Sequence, residues 1–139
     1  MVASALAATR KPAGSRHVFF CGLVAGVVYF AGALYWVVQV MAKYGGLPTV
    51  VALLVGALLV AYLALFPGLF AVGVGLAVRR FGVAGVWLAP FLWVASEWVR
   101  ATVGGGFPWA LLGSSQASVI PVAQLASVTG VFGLSWLVA

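Results

Sequence analysis

The stretch from Val18 to Val40 reads VFFCGLVAGVVYFAGALYWVVQV and contains no charge. A helix of that length rises about 35 Å, enough to cross a hydrocarbon layer about 30 Å thick. Three further apolar runs follow it. Thr49–Val78 is longer still and contains Pro67-Gly68. Phe81–Val99 is shorter but of spanning length, with Pro90 in its middle and Glu97 near its end. Val119–Ala139 has Pro121 in the first turn, where a missing N–H costs nothing. Closed barrels are the only other architecture that spans a membrane, and their strands alternate apolar with polar residues. None of these runs alternates. The expected fold is all-α, a polytopic transmembrane bundle of about four helices near 18–40, 49–78, 81–99 and 119–139. A basic segment, 1–17, precedes this membrane domain of 18–139.

Composition excludes a soluble fold. Hydrophobic residues make up 65% of the chain and charged residues only 6%, with a mean hydropathy of +1.24. A soluble domain carries about 25% charged residues and needs them to cover its surface. The net charge of +6 could suggest nucleic acid as a partner, but the basic residues form no continuous patch. They flank the apolar runs, as membrane-boundary charges do. Arg10, Lys11, Arg16, Arg79 and Arg80 fall on one side, and Lys43 and Arg100 on the other, five against two. The positive-inside rule then puts the N-terminus and Arg79-Arg80 in the cytoplasm, and the loops Met41–Pro48 and Arg100–Ser118 outside. The chain ends at Trp136-Leu137-Val138-Ala139, still apolar, and reads as cut short.

A cleaved signal peptide is the alternative for the first run, with Ala31-Gly32-Ala33 as a loose cleavage motif. Its apolar core should be about 7–15 residues, however, so an uncleaved helix fits better. Cys21 is the only cysteine and no disulfide can form within the chain. It reads as a small apolar side chain, and His17 as a residue of the membrane edge. No set of His, Cys or Asp has metal-ligand spacing. Neither a metal nor a cofactor is expected, and no catalytic residue.

Many of the 18 glycines lie inside the helical runs. Gly22-xxx-Gly26 puts two on one face, which Ala33 continues, and Ala71-xxx-Gly75 does the same on the second run. Such spacing lets helix backbones approach closely, although glycine is also common in membrane helices generally. No internal repeat supports an inverted-repeat transporter, and no polar stripe supports a channel.

One stretch departs from plain hydropathy: Trp93-Val94-Ala95-Ser96-Glu97-Trp98-Val99-Arg100, then Gly104-Gly105-Gly106-Phe107-Pro108-Trp109. Glu97 and Arg100 are three apart and share a helical face, where they can pair. On the residues alone, a structural ion pair at the membrane boundary is the preferred reading. Intramembrane ionisable residues also warrant a functional one. The glycines permit a tight turn, and Phe107-Pro108-Trp109 is expected to form an aromatic corner at the membrane surface.

These residues resemble the membrane domain of bacterial apolipoprotein N-acyltransferases. The signature is Glu97-Trp98-Val99-Arg100, Gly106-Phe107-Pro108-Trp109 and Gly113-x-Ser115-Gln116. Gln124-Leu125-Ala126 and Gly130–Val138 follow in order. Upstream, Tyr35-Trp36-Val37 and Tyr44-Gly45-Gly46-Leu47-Pro48 match an earlier helix and outer loop. The resemblance implies a multi-pass protein of the bacterial inner membrane whose cysteine, glutamate and lysine triad sits in a nitrilase-like domain, missing from this chain. The family's substrates would be membrane phospholipid as acyl donor and a diacylglyceryl lipoprotein as acceptor. The fragment would then anchor that domain and admit lipid sideways, between the helices at 18–40 and 49–78. Tyr35, Trp36, Gly45, Gly46, Phe107, Pro108 and Trp109 are the candidates for lipid contact or positioning. A different class remains open: a non-enzymatic scaffold for a separate partner such as a polyprenol-phosphate glycosyltransferase.

Overall fold

The computed structural model describes residues 14–103 and 106–139, so Arg10, Lys11, Gly104 and Gly105 lie outside the described residues. The described residues form an all-α transmembrane bundle with no strand. Helix α1 is Ser15–Lys43 and α2 is Thr49–Phe81. Both are largely apolar, with their basic residues near the ends. Helix α1 and the helical stretch that α2 opens are long and apolar enough to cross a membrane. Between them, the amide of Leu47 donates to the Met41 carbonyl at 3.3 Å, with Gly46 at φ 65°.

Helices α1 and α2 form an antiparallel pair along the small residues. A Cβ added to Gly22 would lie 2.6 Å from the Pro67 carbonyl oxygen, and one added to Gly26 would lie 3.0 Å from the Cα of Ala64. The Gly22-xxx-Gly26 face therefore meets Ala64, Pro67, Gly68 and Ala71 backbone to backbone. Such contact supplies dispersion energy where lipid removes the hydrophobic drive. Farther along, Phe30 and Leu34 bury against Leu63. The opposite faces expose Val28, Leu54 and Leu58, a surface that suits hydrocarbon and not water.

Glycine ends α2. Gly82 has φ 66° and ψ −151°, where a side chain would be strained, and a 3₁₀ helix follows over Gly82–Leu88. It lies so close that a Cβ on Gly85 would overlap the backbone of Ala77 and Val78. Helix α3, Ala89–Thr102, then runs back along α2, and Phe70 meets Trp93 edge to face at 4.9 Å. The run at 81–99 is thus a 3₁₀ turn followed by a helix of 14 residues, about 21 Å long. Pro90 lies in the first turn of α3, where its missing N–H costs no helical hydrogen bond.

After the loop, a second 3₁₀ turn covers Leu112–Gln116. Helix α4 is Ile120–Gln124 and α5 is Ala126–Val138, with Gly130 non-helical at φ 69°. The run at 119–139 is therefore broken twice. Helix α5 packs on α3 and on the second 3₁₀ turn; the ring centroids of Phe91 and Trp136 are 5.6 Å apart.

Candidate functional site

Helix α3 stops midway along its neighbours. The Arg100 guanidinium carbon lies 5.3 Å from the ring centroid of Phe30, and Phe30 is near the midpoint of α1 between Ser15 and Lys43. Glu97 and Arg100 are consequently at the middle of the bundle and not at its edge. Both are buried, with 2% and 4% of their surface exposed. The chain beyond α3 folds back on the helix that precedes it. The Phe107 amide donates to the Arg100 carbonyl at 2.9 Å, and Phe107 and Ala110 pack on the Phe30–Leu34–Leu63 core.

Non-helical backbone at this depth needs partners, because hydrocarbon offers none. The two charged side chains supply them. Glu97 Oε1 accepts from the Leu112 amide at 2.6 Å and from Trp93 Nε1 at 3.1 Å. Arg100 donates through Nη2 to the Ala110 carbonyl at 3.3 Å. No hydrogen bond joins Glu97 to Arg100 among the described residues. Oε2 of the one and Nε of the other are buried without a hydrogen-bond partner among those residues. The two opposite charges thus act as two clamps on a re-entrant loop. Three-residue spacing puts both charges on one face of α3, where each also reaches loop backbone. Ala110 takes φ 55°, rare for alanine. Below it, the Gly113 amide donates to Ser135 Oγ at 2.9 Å, which fastens the loop to α5.

The lipid-contact candidates divide into groups. Trp36 and Trp109 meet at 6.0 Å between centroids, with Trp36 Nε1 donating to the Ala33 carbonyl at 3.1 Å. Phe107 is partly buried in the core, whereas Pro108 and Trp109 are exposed. Tyr35 is exposed beside Trp36, and Gly45 and Gly46 are exposed in the α1–α2 loop. The aromatic corner thus lies against α1 at the level of Trp36, below the helix end.

An apolar groove of about 470 Å³ runs where α1, α2, α3 and the loop meet. Gly22, Tyr29, Phe70, Trp93, Ala110 and Leu112 are among its walls. Glycine contact joins α1 to α2 at Gly22 and Gly26, and the groove lies on the α3 side of that pair. The i, i+4 spacing also brings His17 Nε2 to 3.7 Å from Cys21 Sγ on α1, a juxtaposition that hydropathy reading overlooks. No group of three metal-ligating side chains occurs among the described residues.

The sequence model of the apolipoprotein N-acyltransferase N-terminal domain matches residues 1–139, the whole chain. The chain belongs to the apolipoprotein N-acyltransferase family. It is 44% identical over 127 residues to the apolipoprotein N-acyltransferase of Geobacter metallireducens, which covers 89% of this chain and 24% of that protein. The N-acyltransferase of Shewanella oneidensis is 41% identical over 126 residues, 87% of this chain and 24% of its own length. That of Nitrosomonas europaea is 38% identical over 118 residues, 84% and 23%. The chain thus spans about a quarter of the curated N-acyltransferases it matches. No solved structure matches it. Within the N-acyltransferase N-terminal domain, Glu97 and Arg100 hold loop backbone.

Proposed function

We propose that this chain is the membrane platform of an apolipoprotein N-acyltransferase. In this reading the whole enzyme passes an acyl chain from phospholipid to the N-terminal diacylglyceryl-cysteine of a lipoprotein. The bond-making residues belong to a nitrilase-like domain outside this chain. The platform anchors that domain at the outer face of the bacterial inner membrane, with the N-terminus in the cytoplasm, and gives lipid a place to lie.

The groove of about 470 Å³ carries the reading. Its size is within the range of ligand sites, about 300–1,000 Å³. Its walls are apolar, as an acyl chain requires. It ends at Ala110 and Leu112, which Arg100 and Glu97 hold in place. The Trp36–Trp109 contact then gives the outer end of the site a rigid aromatic rim.

A photoreactive phospholipid tests the proposal. Vesicles carrying a phosphatidylethanolamine with a diazirine at the acyl terminus are irradiated with the reconstituted chain, and the adducts are mapped by mass. Adducts should concentrate at Tyr29, Trp93 and Leu112 over Val28 and Leu58, which face bulk lipid. An even spread over all five would remove the groove from the function.

A further inference from the structure

A small cavity of about 30 Å³ lies beside the groove, lined by Tyr29, Trp93, Ser96, Glu97, Arg100 and Ala110, among others. Glu97 Oε2 and Arg100 Nε are buried, and neither has a hydrogen-bond partner among the described residues. Leaving a carboxylate oxygen and a guanidinium N–H unsatisfied inside the bundle is costly, because neither recovers the hydrogen bond it had in water. Their chemistry is complementary: one only accepts and the other only donates. A single group that donates to Oε2 and accepts from Nε–H satisfies both. A hydroxyl oxygen does so; an ester carbonyl accepts only, and an ammonium donates only. The space admits one water molecule, which needs about 10–15 Å³ of such volume. A third partner is at hand in Ser96 Oγ, which gives its proton to the Trp93 carbonyl at 2.7 Å and keeps lone pairs free.

We propose that this cavity is a binding site for one water molecule, which bridges Glu97 Oε2 to Arg100 Nε and closes the two clamps into a water-mediated ion pair. The pair then joins the end of α3 to the loop through three groups: the carboxylate takes Leu112, the guanidinium takes Ala110, and the water couples them. A half-helix that ends at mid-depth is fixed in this way without a full span of its own.

Proton-detected solid-state NMR of the chain in deuterated-lipid bilayers tests the site. The Arg100 Nε–H signal is assigned by its loss in Arg100→Lys. It should show a cross-peak at the water frequency that survives a filter removing bulk, mobile water. The cross-peak should persist in Glu97→Gln. There the one oxygen stays on the Leu112 amide, while the NH₂ takes the place of Oε2 and donates to the same water, which can accept from both groups. The cross-peak should vanish in Glu97→Leu, which has no polar atom there. The amide spectrum of each sample reports whether the fold is retained, and the Glu97→Gln result stands if Glu97→Leu does not fold. Absence of the cross-peak in the folded wild type overturns the proposal. So does a cross-peak to lipid protons, observed with protonated lipid, which would put a lipid hydroxyl in the site instead.

Discussion

Glu97 Oε1 lies 2.6 Å from the backbone nitrogen of Leu112, a residue 15 positions farther along the chain. A carboxylate normally caps the start of its own helix; here it reaches across to the amide that opens the second 3₁₀ turn, Leu112–Gln116. The contact is short enough to rank with the stronger, charge-assisted hydrogen bonds. It helps to hold irregular backbone beside the buried Phe30, Leu34 and Leu63.

Glu97→Ala should therefore be severe. It orphans the Leu112 amide and the Trp93 indole N–H, and leaves Arg100 buried without an opposite charge. A loss of about 3–5 kcal/mol is expected, as for other broken buried pairs. Glu97→Gln retains an acceptor for Leu112 and should cost about half as much. Unfolding titrations in mixed micelles can measure both. Equal stability of wild type and Glu97→Ala would mean that the loop is held by its apolar contacts alone.

Two glycines on α1 should respond to alanine with opposite signs. At Gly22 a Cβ would press on the Pro67 carbonyl oxygen at 2.6 Å and the Ala71 Cβ at 2.9 Å. Backbone cannot move aside cheaply, so Gly22→Ala should destabilise the α1–α2 pair by about 1–3 kcal/mol. At Gly32 nothing among the described residues lies within 4 Å, and Gly32→Ala should be neutral or stabilising by up to about 1 kcal/mol. Thermal melts of the two variants in one detergent decide this. A loss at Gly32 as large as at Gly22 would point to helix conformation, not packing, as the cause.

Hydropathy made α1 and α2 legible because each run is long enough to cross a bilayer and holds no charge. The same count did not locate the break within 81–99. That run is long enough to span, but Gly82 and Pro90 divide it into a 3₁₀ turn and a short helix that ends at mid-depth. Run length cannot show where a run begins. The Glu97–Arg100 spacing correctly placed two charges on one face of α3. Their partners at Leu112 and Ala110 come from a tertiary fold-back that no local period encodes. The Gly22-xxx-Gly26 motif needed only a partner helix, and the small residues of α2 supply it.

Orientation is a separate prediction. In a Cys21→Ala background, Lys43→Cys should react with a membrane-impermeant thiol reagent added outside intact cells, and Arg80→Cys should react only after lysis. The five-to-two distribution of basic residues underlies this expectation. Arg80 is the better probe than Arg79, whose Nη1 donates to Ser15 Oγ at 3.2 Å and helps to join the two helix ends. Labelling of residue 80 alone in intact cells would invert the bundle.

The chain alone should transfer no acyl group, and the reason is its inventory of side chains. Thioester chemistry at neutral pH needs a thiolate, a base within about 3 Å, and donors for the oxyanion. Cys21 is the only thiol and Glu97 the only carboxylate. Phe30 marks the level of Arg100, and about 14 Å of α1 separates Cys21 from that level. The carboxylate is also committed to Trp93 and Leu112. His17 is nearer, at 3.7 Å from Cys21 Sγ, but the thiol is exposed on α1, outside the groove proposed for the acyl chain. An assay with phospholipid donor and a diacylglyceryl peptide acceptor, read by product mass, should give the blank rate. Product formed by wild type and abolished in Cys21→Ala would make the His17–Cys21 pair a working nucleophile and overturn the platform reading.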